Sequence, residues 1–137
     1  MKILRNIIAL PIGLFLGGII NMAIINNGTI LIPPPEGINP NDFDSLKSNI
    51  HLFTPKNFIV PFFAHAIGTF IGALITSLIA VSYRQYLSIG IGCFFLMGGL
   101  TMVSMLPSPI WFNLIDLVFA YIPMGWLGYK ISAKINK

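Results

Sequence analysis

Two ionisable side chains interrupt otherwise uncharged stretches of this 137-residue chain and give it its clearest capacity for chemistry. His65 lies in the apolar run 58–82, and Asp116 lies in the apolar run 110–129. A histidine changes charge near neutral pH, and a carboxylate inside a membrane can relay protons. An aspartate facing lipid costs about 2.5–3.5 kcal/mol on insertion scales. We therefore predict that Asp116 turns inward and contacts His65, the only basic side chain inside the apolar runs.

Two amide side chains lie at a similar depth in their runs. Asn21 comes near the end of the first apolar run, and Asn113 comes three residues before Asp116. We expect one of them to complete the hydrogen bonds of the His65–Asp116 pair. The resulting polar cluster has two interpretations, as interhelical bonding that fixes helix register or as a proton- or ligand-responsive site.

Metal and enzyme chemistry receive less support from the sequence. A metal site built from His51, His65 and Asp116 lacks ligand spacing, because a flexible segment separates the two histidines. The chain has no G-x-S-x-G, Walker, dinucleotide-binding or H-E-x-x-H motif. Cys93 is the only cysteine, which excludes an intrachain disulfide, and we expect it to be buried. The sequence therefore predicts a protein that is not an enzyme and that has no catalytic residue, metal or cofactor.

Composition then shows which elements must position these residues. Hydrophobic residues make up 55% of the chain and charged residues 9%, against about 25% charged residues in soluble domains. A helix of 25 residues covers about 37 Å, which is enough to cross a bilayer core of about 30 Å. The chain is thus predicted to be a single all-α integral membrane domain, a four-transmembrane-helix bundle with spans at 6–26, 56–82, 87–106 and 110–129. A long outer loop, 27–55, joins the first two spans and includes a short amphipathic helix around Phe43.

Basic residues give the predicted orientation of the spans. Six of the eight Lys and Arg residues fall at the two chain ends and the middle turn, which share one side of a four-span protein. The positive-inside rule then places both termini in the cytoplasm of a bacterium and the long loop in the periplasm. This predicts a multi-pass protein of the bacterial inner membrane. The scattered basic residues form no continuous face, so we expect the lipid bilayer and no nucleic acid as a partner.

Glycines indicate where the helices pack closely. Gly68 and Gly72 form a small-xxx-small motif on the second span, which lets helix backbones approach each other. The expected partners are Gly13 and Gly17 on the first span and the pair Gly98 and Gly99 on the third.

Prolines and aromatic residues on the loop side are predicted to offer a rigid contact surface, at low entropic cost, or else to cap the bundle. These residues are Pro33, Pro34, Pro35, Phe43, His51, Phe53, Pro107, Pro109 and Trp111. Together these patterns favour a non-enzymatic accessory or structural subunit that associates with other membrane subunits or with copies of itself. The alternative is a small proton- or ligand-responsive transporter or sensor that uses the Asp–His cluster.

Overall fold

A computed structural model describes residues 1–136. Over those residues the chain is 82% helix and contains no strand. Six α-helices follow one another, and two 3-10 turns at Ile50–Leu52 and Pro55–Phe58 precede the third of them. The helices are α1 (Lys2–Leu31), α2 (Phe43–Asn49), α3 (Ile59–Ile79), α4 (Arg84–Met105), α5 (Ile110–Phe119) and α6 (Ile122–Ile135).

Four helical stretches are long and apolar enough to cross a membrane, which confirms the all-helical prediction and suggests a multi-pass membrane protein. They are Lys2–Leu31, Pro55–Ile79, Arg84–Met105 and Ile110–Ile135. Helix α3 is the central one, because α1, α4 and α6 all pack against it.

The contact between α1 and α3 is made backbone to backbone. A Cβ atom added to Gly72 would lie 2.7 Å from the carbonyl oxygen of Gly13, and one added to Gly68 would lie 2.8 Å from that of Gly17. One turn further along α3, the Thr76 hydroxyl donates to the Ala9 carbonyl at 3.1 Å. These four glycines therefore set the distance between the two helices, since any side chain there would push them apart.

On α4, the prediction of two packing glycines is wrong for one of them. Gly99 faces inward, whereas Gly98 is exposed and has no atom within 4 Å of an added Cβ. Neighbouring residues of a helix point about 100° apart, so Gly98 and Gly99 cannot both face inward. Gly99 itself meets the Tyr121 side chain and not the predicted glycines of α3. Glycines that the sequence reasoning missed form the close contact with α6: Gly92, Gly125 and Gly128 each meet backbone atoms of a facing segment.

Cys93 is exposed on α4, so its predicted burial is wrong as well. It follows the buried Gly92 and precedes the exposed Phe94, which places it on the outward face of the helix. That face of α4 is mostly apolar around Cys93, and an apolar residue there needs no protein neighbour if lipid surrounds it.

Two predicted boundaries also move. Helix α1 continues five residues past position 26, because polar side chains of its last turns bond to their own helix: Asn27 donates to the Ala23 carbonyl at 2.8 Å and Thr29 to that of Asn26 at 3.0 Å. The fourth run is not one helix but two, α5 and α6, which are separated at Ala120 and Tyr121. Pro123 opens α6, where its missing N–H costs nothing.

Segment 32–54 folds over one end of the long helices. Its α2 is the predicted amphipathic helix, and the side chain of Asp42 caps it by accepting from the Asp44 N–H at 3.1 Å. Phe43, Leu46 and Ile50 pack against an apolar cluster made by Phe58, Leu106 and Phe112. Asn57 holds the start of the segment in place by donating to the Pro33 carbonyl at 3.0 Å.

At the opposite end, polar side chains tie together the N-terminus, the turn after α3 and the C-terminal helix. Asn6 accepts from the Val81 N–H at 3.0 Å and donates to the Ser82 hydroxyl at 2.7 Å. Arg84 donates to the Ser77 carbonyl at 2.7 Å and to the Ser132 hydroxyl at 3.1 Å. The three basic segments of the chain thus converge at one end of the molecule.

Candidate functional site

His65 and Asp116 form the centre of the candidate site. His65 lies in the second turn of α3 and Asp116 lies in α5, so the pair joins two elements far apart in sequence. The imidazole Nδ1 is 2.8 Å from Asp116 Oδ1 and 3.0 Å from Oδ2. Asp116 is only 4% exposed. A buried carboxylate needs partners of this kind, because an unpaired charge in a low-dielectric interior is very unfavourable.

Tyr121 supplies the second partner of the carboxylate. Its hydroxyl donates to Asp116 Oδ2 at 2.8 Å, and its ring stacks on the His65 ring with centroids 5.8 Å apart. Tyr121 is 2% exposed and lies at the break between α5 and α6, which turns its side chain back towards Asp116. Gly99 leaves room for it, since an added Cβ would be 2.6 Å from the phenol oxygen.

Sequence reasoning missed Tyr121, although a signal was present. A tyrosine two residues before a proline, inside an apolar run, indicates a helix break that carries a hydroxyl in need of a partner. The expected partners were Asn21 and Asn113, and neither is found on the pair. Asn113 instead donates to the Ser108 carbonyl at 3.3 Å, within the turn that precedes α5.

Asn21 packs against Gly68, at the end of the α1–α3 contact that is nearer to segment 32–54. Its side-chain oxygen is buried and has no hydrogen-bond partner among residues 1–136, and the same holds for the hydroxyl of Thr69. The structure therefore brings together two of the four residues of the predicted polar cluster, His65 and Asp116, and adds Tyr121.

A cavity of about 380 Å³ adjoins the pair, between the ends of α1, α3, α4 and α5 and beneath segment 32–54. His65 and Asp116 both line it. Most other lining residues are apolar; they include Ile25, Phe58, Val60, Val103, Leu106 and Phe112. Small-molecule sites in proteins have this character, with a mainly hydrophobic wall and a few placed polar groups.

The residues of the predicted outer contact surface fall into two groups, those that cover the cavity and those that are exposed or half-buried. Phe43, Phe53 and Pro34 line the cavity, so they cover it and are not free for docking. His51, Pro33, Pro107 and Trp111 are exposed, and Pro35 and Pro109 are half-buried. The same residues therefore contribute to capping the helices as well as to an outer face.

No group of three His, Cys, Asp or Glu side chains that could hold a metal ion is found over residues 1–136. The groups that meet at the pair can hold, donate and accept protons: an imidazole, a carboxylate and a phenol. Among the described residues, no hydroxyl or thiol lies within hydrogen-bonding distance of His65 as a nucleophile would.

No protein-family model, curated protein or solved structure matches this chain. The helices and the site together describe a chain with four potential membrane spans and a His–Asp–Tyr cluster, of which His65 and Asp116 line an apolar cavity.

Proposed function

We propose that the four long helices cross a bacterial inner membrane, with both termini in the cytoplasm and segment 32–54 in the periplasm. The support is the convergence of Arg5, Arg84 and the basic end of α6 at one end of the fold, opposite the acidic residues of segment 32–54. Positive charge accumulates on the cytoplasmic side of membrane proteins.

We further propose that the protein is a non-enzymatic, ligand-responsive membrane protein that takes an apolar small molecule into the cavity. The observation that carries this proposal is the position of His65 and Asp116 on the wall of that cavity. A pair that served only to fix helix register would gain nothing from adjoining open space, because protein interiors are close-packed. A polar group at the base of an apolar pocket is the arrangement that orients a bound molecule.

The test is thermal unfolding of the purified protein in dodecyl maltoside with decanophenone or decylbenzene, two apolar probes of similar size. A ligand at 100 times its Kd stabilises the folded state by about 2.7 kcal/mol, so a bound probe raises Tm. Val103→Trp fills the cavity and should abolish the rise. Val118→Trp is the matched control, since Val118 is exposed on α5 and does not line the cavity. If neither probe raises the Tm of the unmodified protein, the proposal fails.

Association with other membrane subunits or with a second copy is the other candidate function. It is favoured by Leu52 and Trp111, large apolar residues that stay exposed at the loop end of the fold. Purification in a mild detergent should then yield a stoichiometric partner or a homo-oligomer, and Leu52→Asp should reduce that association. A monomer without a partner would exclude this role and leave ligand binding unaffected.

A further inference from the structure

We infer that the ligand of this cavity is an amphiphile that carries a neutral carbonyl oxygen, and that it enters sideways from the surrounding lipid, between α1 and α4. The inference rests on the proposed ligand-binding function and adds the chemistry of the ligand and its route. The hydrogen-bonding capacity left unused at His65 is the first step towards it.

His65 reaches Asp116 through Nδ1 alone. Its second nitrogen, Nε2, makes no hydrogen bond within the described residues, and the side chain is 24% exposed where it lines the cavity. The carboxylate already accepts from Nδ1 and from the Tyr121 hydroxyl. The side chain of Asp116 is only 6% exposed against 24% for His65, so Nε2 is the more accessible of the polar atoms that remain unused.

The charge of the site decides what Nε2 offers. A net negative charge on the pair would be very unfavourable in an apolar interior, so the favoured forms are those in which the pair as a whole is neutral. No other charged side chain lines the cavity among the residues that the structure describes. In a neutral pair one proton lies between Nδ1 and the carboxylate, on either partner, and Nε2 carries the other. Nε2 therefore donates, and its natural partner is an acceptor without a hydrogen to donate and without charge. A carbonyl oxygen meets these requirements.

The other polar side chains on the wall are largely engaged elsewhere. Asn57 bonds to Thr54 and to the Pro33 carbonyl, Thr29 bonds within α1, and Asn113 bonds to Ser108. Asn41 and Ser108 also line the cavity, and no hydrogen bond of their side chains is found among residues 1–136. Asn41 is exposed, however, and neither belongs to a charged pair, so we take His65 as the group that selects the head of a ligand. The rest of the wall is apolar and fits a hydrocarbon body.

The route follows from the helices that border the cavity. Met22 on α1 and Met102 on α4 both line it, yet they are 52% and 41% exposed on the outer surface of the fold. Segment 32–54 covers the end of the cavity with apolar side chains such as Phe43 and Leu46, which discourages access from water. Flexible methionines adapt to ligands of different shape. We therefore place the entry of an apolar chain between Met22 and Met102, with its head directed to His65.

A matched pair of probes tests the head group on the unmodified protein. Protein with ¹⁵N-labelled histidine in dodecyl maltoside is titrated with decanophenone, which has a carbonyl, and with decylbenzene, which has none. We expect decanophenone to shift the Nε2 resonance of His65 and to bind about tenfold more tightly, the worth of one charge-assisted hydrogen bond. His51 is the internal control, because it is exposed on a 3-10 turn outside the cavity.

Two further titrations, each with a different lipid, identify the source of the carbonyl. Ester-linked phosphatidylcholine added to the same micelles shifts His65 if membrane lipid is the ligand, whereas an ether-linked analogue of the same chain length does not. If the ester lipid has no effect and decanophenone does, the ligand is a free ketone or quinone-like molecule. Equal binding of decanophenone and decylbenzene without movement of the His65 resonance would overturn the carbonyl inference and leave ligand binding standing. Binding of neither probe would instead remove the proposed function itself.

Larger side chains at Met22 and Met102 test the proposed route between α1 and α4. Met22→Trp and Met102→Trp should each slow association of decanophenone by about tenfold. Met97→Trp is the control, because Met97 is exposed on α4 and does not line the cavity. Unchanged association in both gap variants would show that the ligand enters elsewhere.

Discussion

The rings of His65 and Tyr121 stack with their planes 26° apart, while both residues bond to the carboxylate of Asp116. The two rings come from α3 and from the break between α5 and α6. Asp116 is therefore held by two donors whose own positions depend on each other. The three side chains should respond to substitution as a unit, because hydrogen-bonded networks are not sums of independent pairs.

Removal of the Tyr121 hydroxyl should weaken this unit. Tyr121→Phe keeps the ring stack and takes one donor from a buried carboxylate, which should destabilise the protein by about 1.5–3 kcal/mol. The measurement is chemical unfolding in mixed micelles. Tyr129→Phe is the control, since no hydrogen bond of the Tyr129 hydroxyl is found among the described residues. Equal stability of the two variants would contradict a structural role for the bond.

Replacement of His65 alone should destabilise the protein more than replacement of both His65 and Asp116. His65→Leu leaves Asp116 as a buried charge without its cationic partner, and such breaks are worth about 3–5 kcal/mol. The double variant His65→Leu/Asp116→Leu removes the charge as well and should regain stability relative to the single variant. A double-mutant cycle from unfolding measurements gives the coupling. Additive effects would mean that the two residues do not depend on each other.

Asp116→Asn should weaken the contact with His65 without a large change in side-chain shape. The amide keeps one accepting oxygen where the carboxylate offers two to His65 Nδ1 and the Tyr121 hydroxyl, so the protein should lose about 1–3 kcal/mol of stability. The ¹⁵N resonances of His65 at one fixed pH report the change in its bond, and those of His51 should not move. Unchanged His65 resonances together with unchanged stability would argue strongly against the contact.

Two neighbouring glycines should differ sharply in their tolerance of a methyl group. Gly99→Ala forces the Tyr121 phenol to move and should destabilise the protein by about 1–3 kcal/mol, as overpacking does. Gly98→Ala adds its methyl to open space and should be neutral or slightly stabilising. Unfolding of both variants in the same detergent is the measurement. Similar stabilities would show that Tyr121 can leave its position at little cost.

The sequence was a good guide where one physical quantity dominates. Hydropathy predicts the four long apolar helices, and these are confirmed. The unfavourable burial of a lone Asp116 predicts its proximity to His65, and the structure brings the two together. It was a poor guide where direction within an element matters, as for Gly98 and Cys93, because neither hydropathy nor composition indicates which side of an apolar helix faces protein.

Tyr121 illustrates a different limit. Its role depends on a break inside one apolar run and on a space left by Gly99 in another helix. Local patterns do not carry such a relation between distant segments. The asparagines were assigned by depth alone, and depth ignores the nearer backbone carbonyl that Asn113 reaches in its own turn.

Where carbonyls meet glycines between α1 and α3, backbone lies directly on backbone, and the Thr76 hydroxyl adds a hydrogen bond to Ala9. We expect these two helices to behave as one rigid unit. Spin labels at Ile19 and Ile67, which are both exposed, should report the same separation with and without decanophenone. Any opening between Met22 and Met102 that admits a ligand must then come from displacement of α4 away from α1. Helices α5 and α6 pack against α4, so we expect the interruption at Ala120 to be the hinge of that displacement.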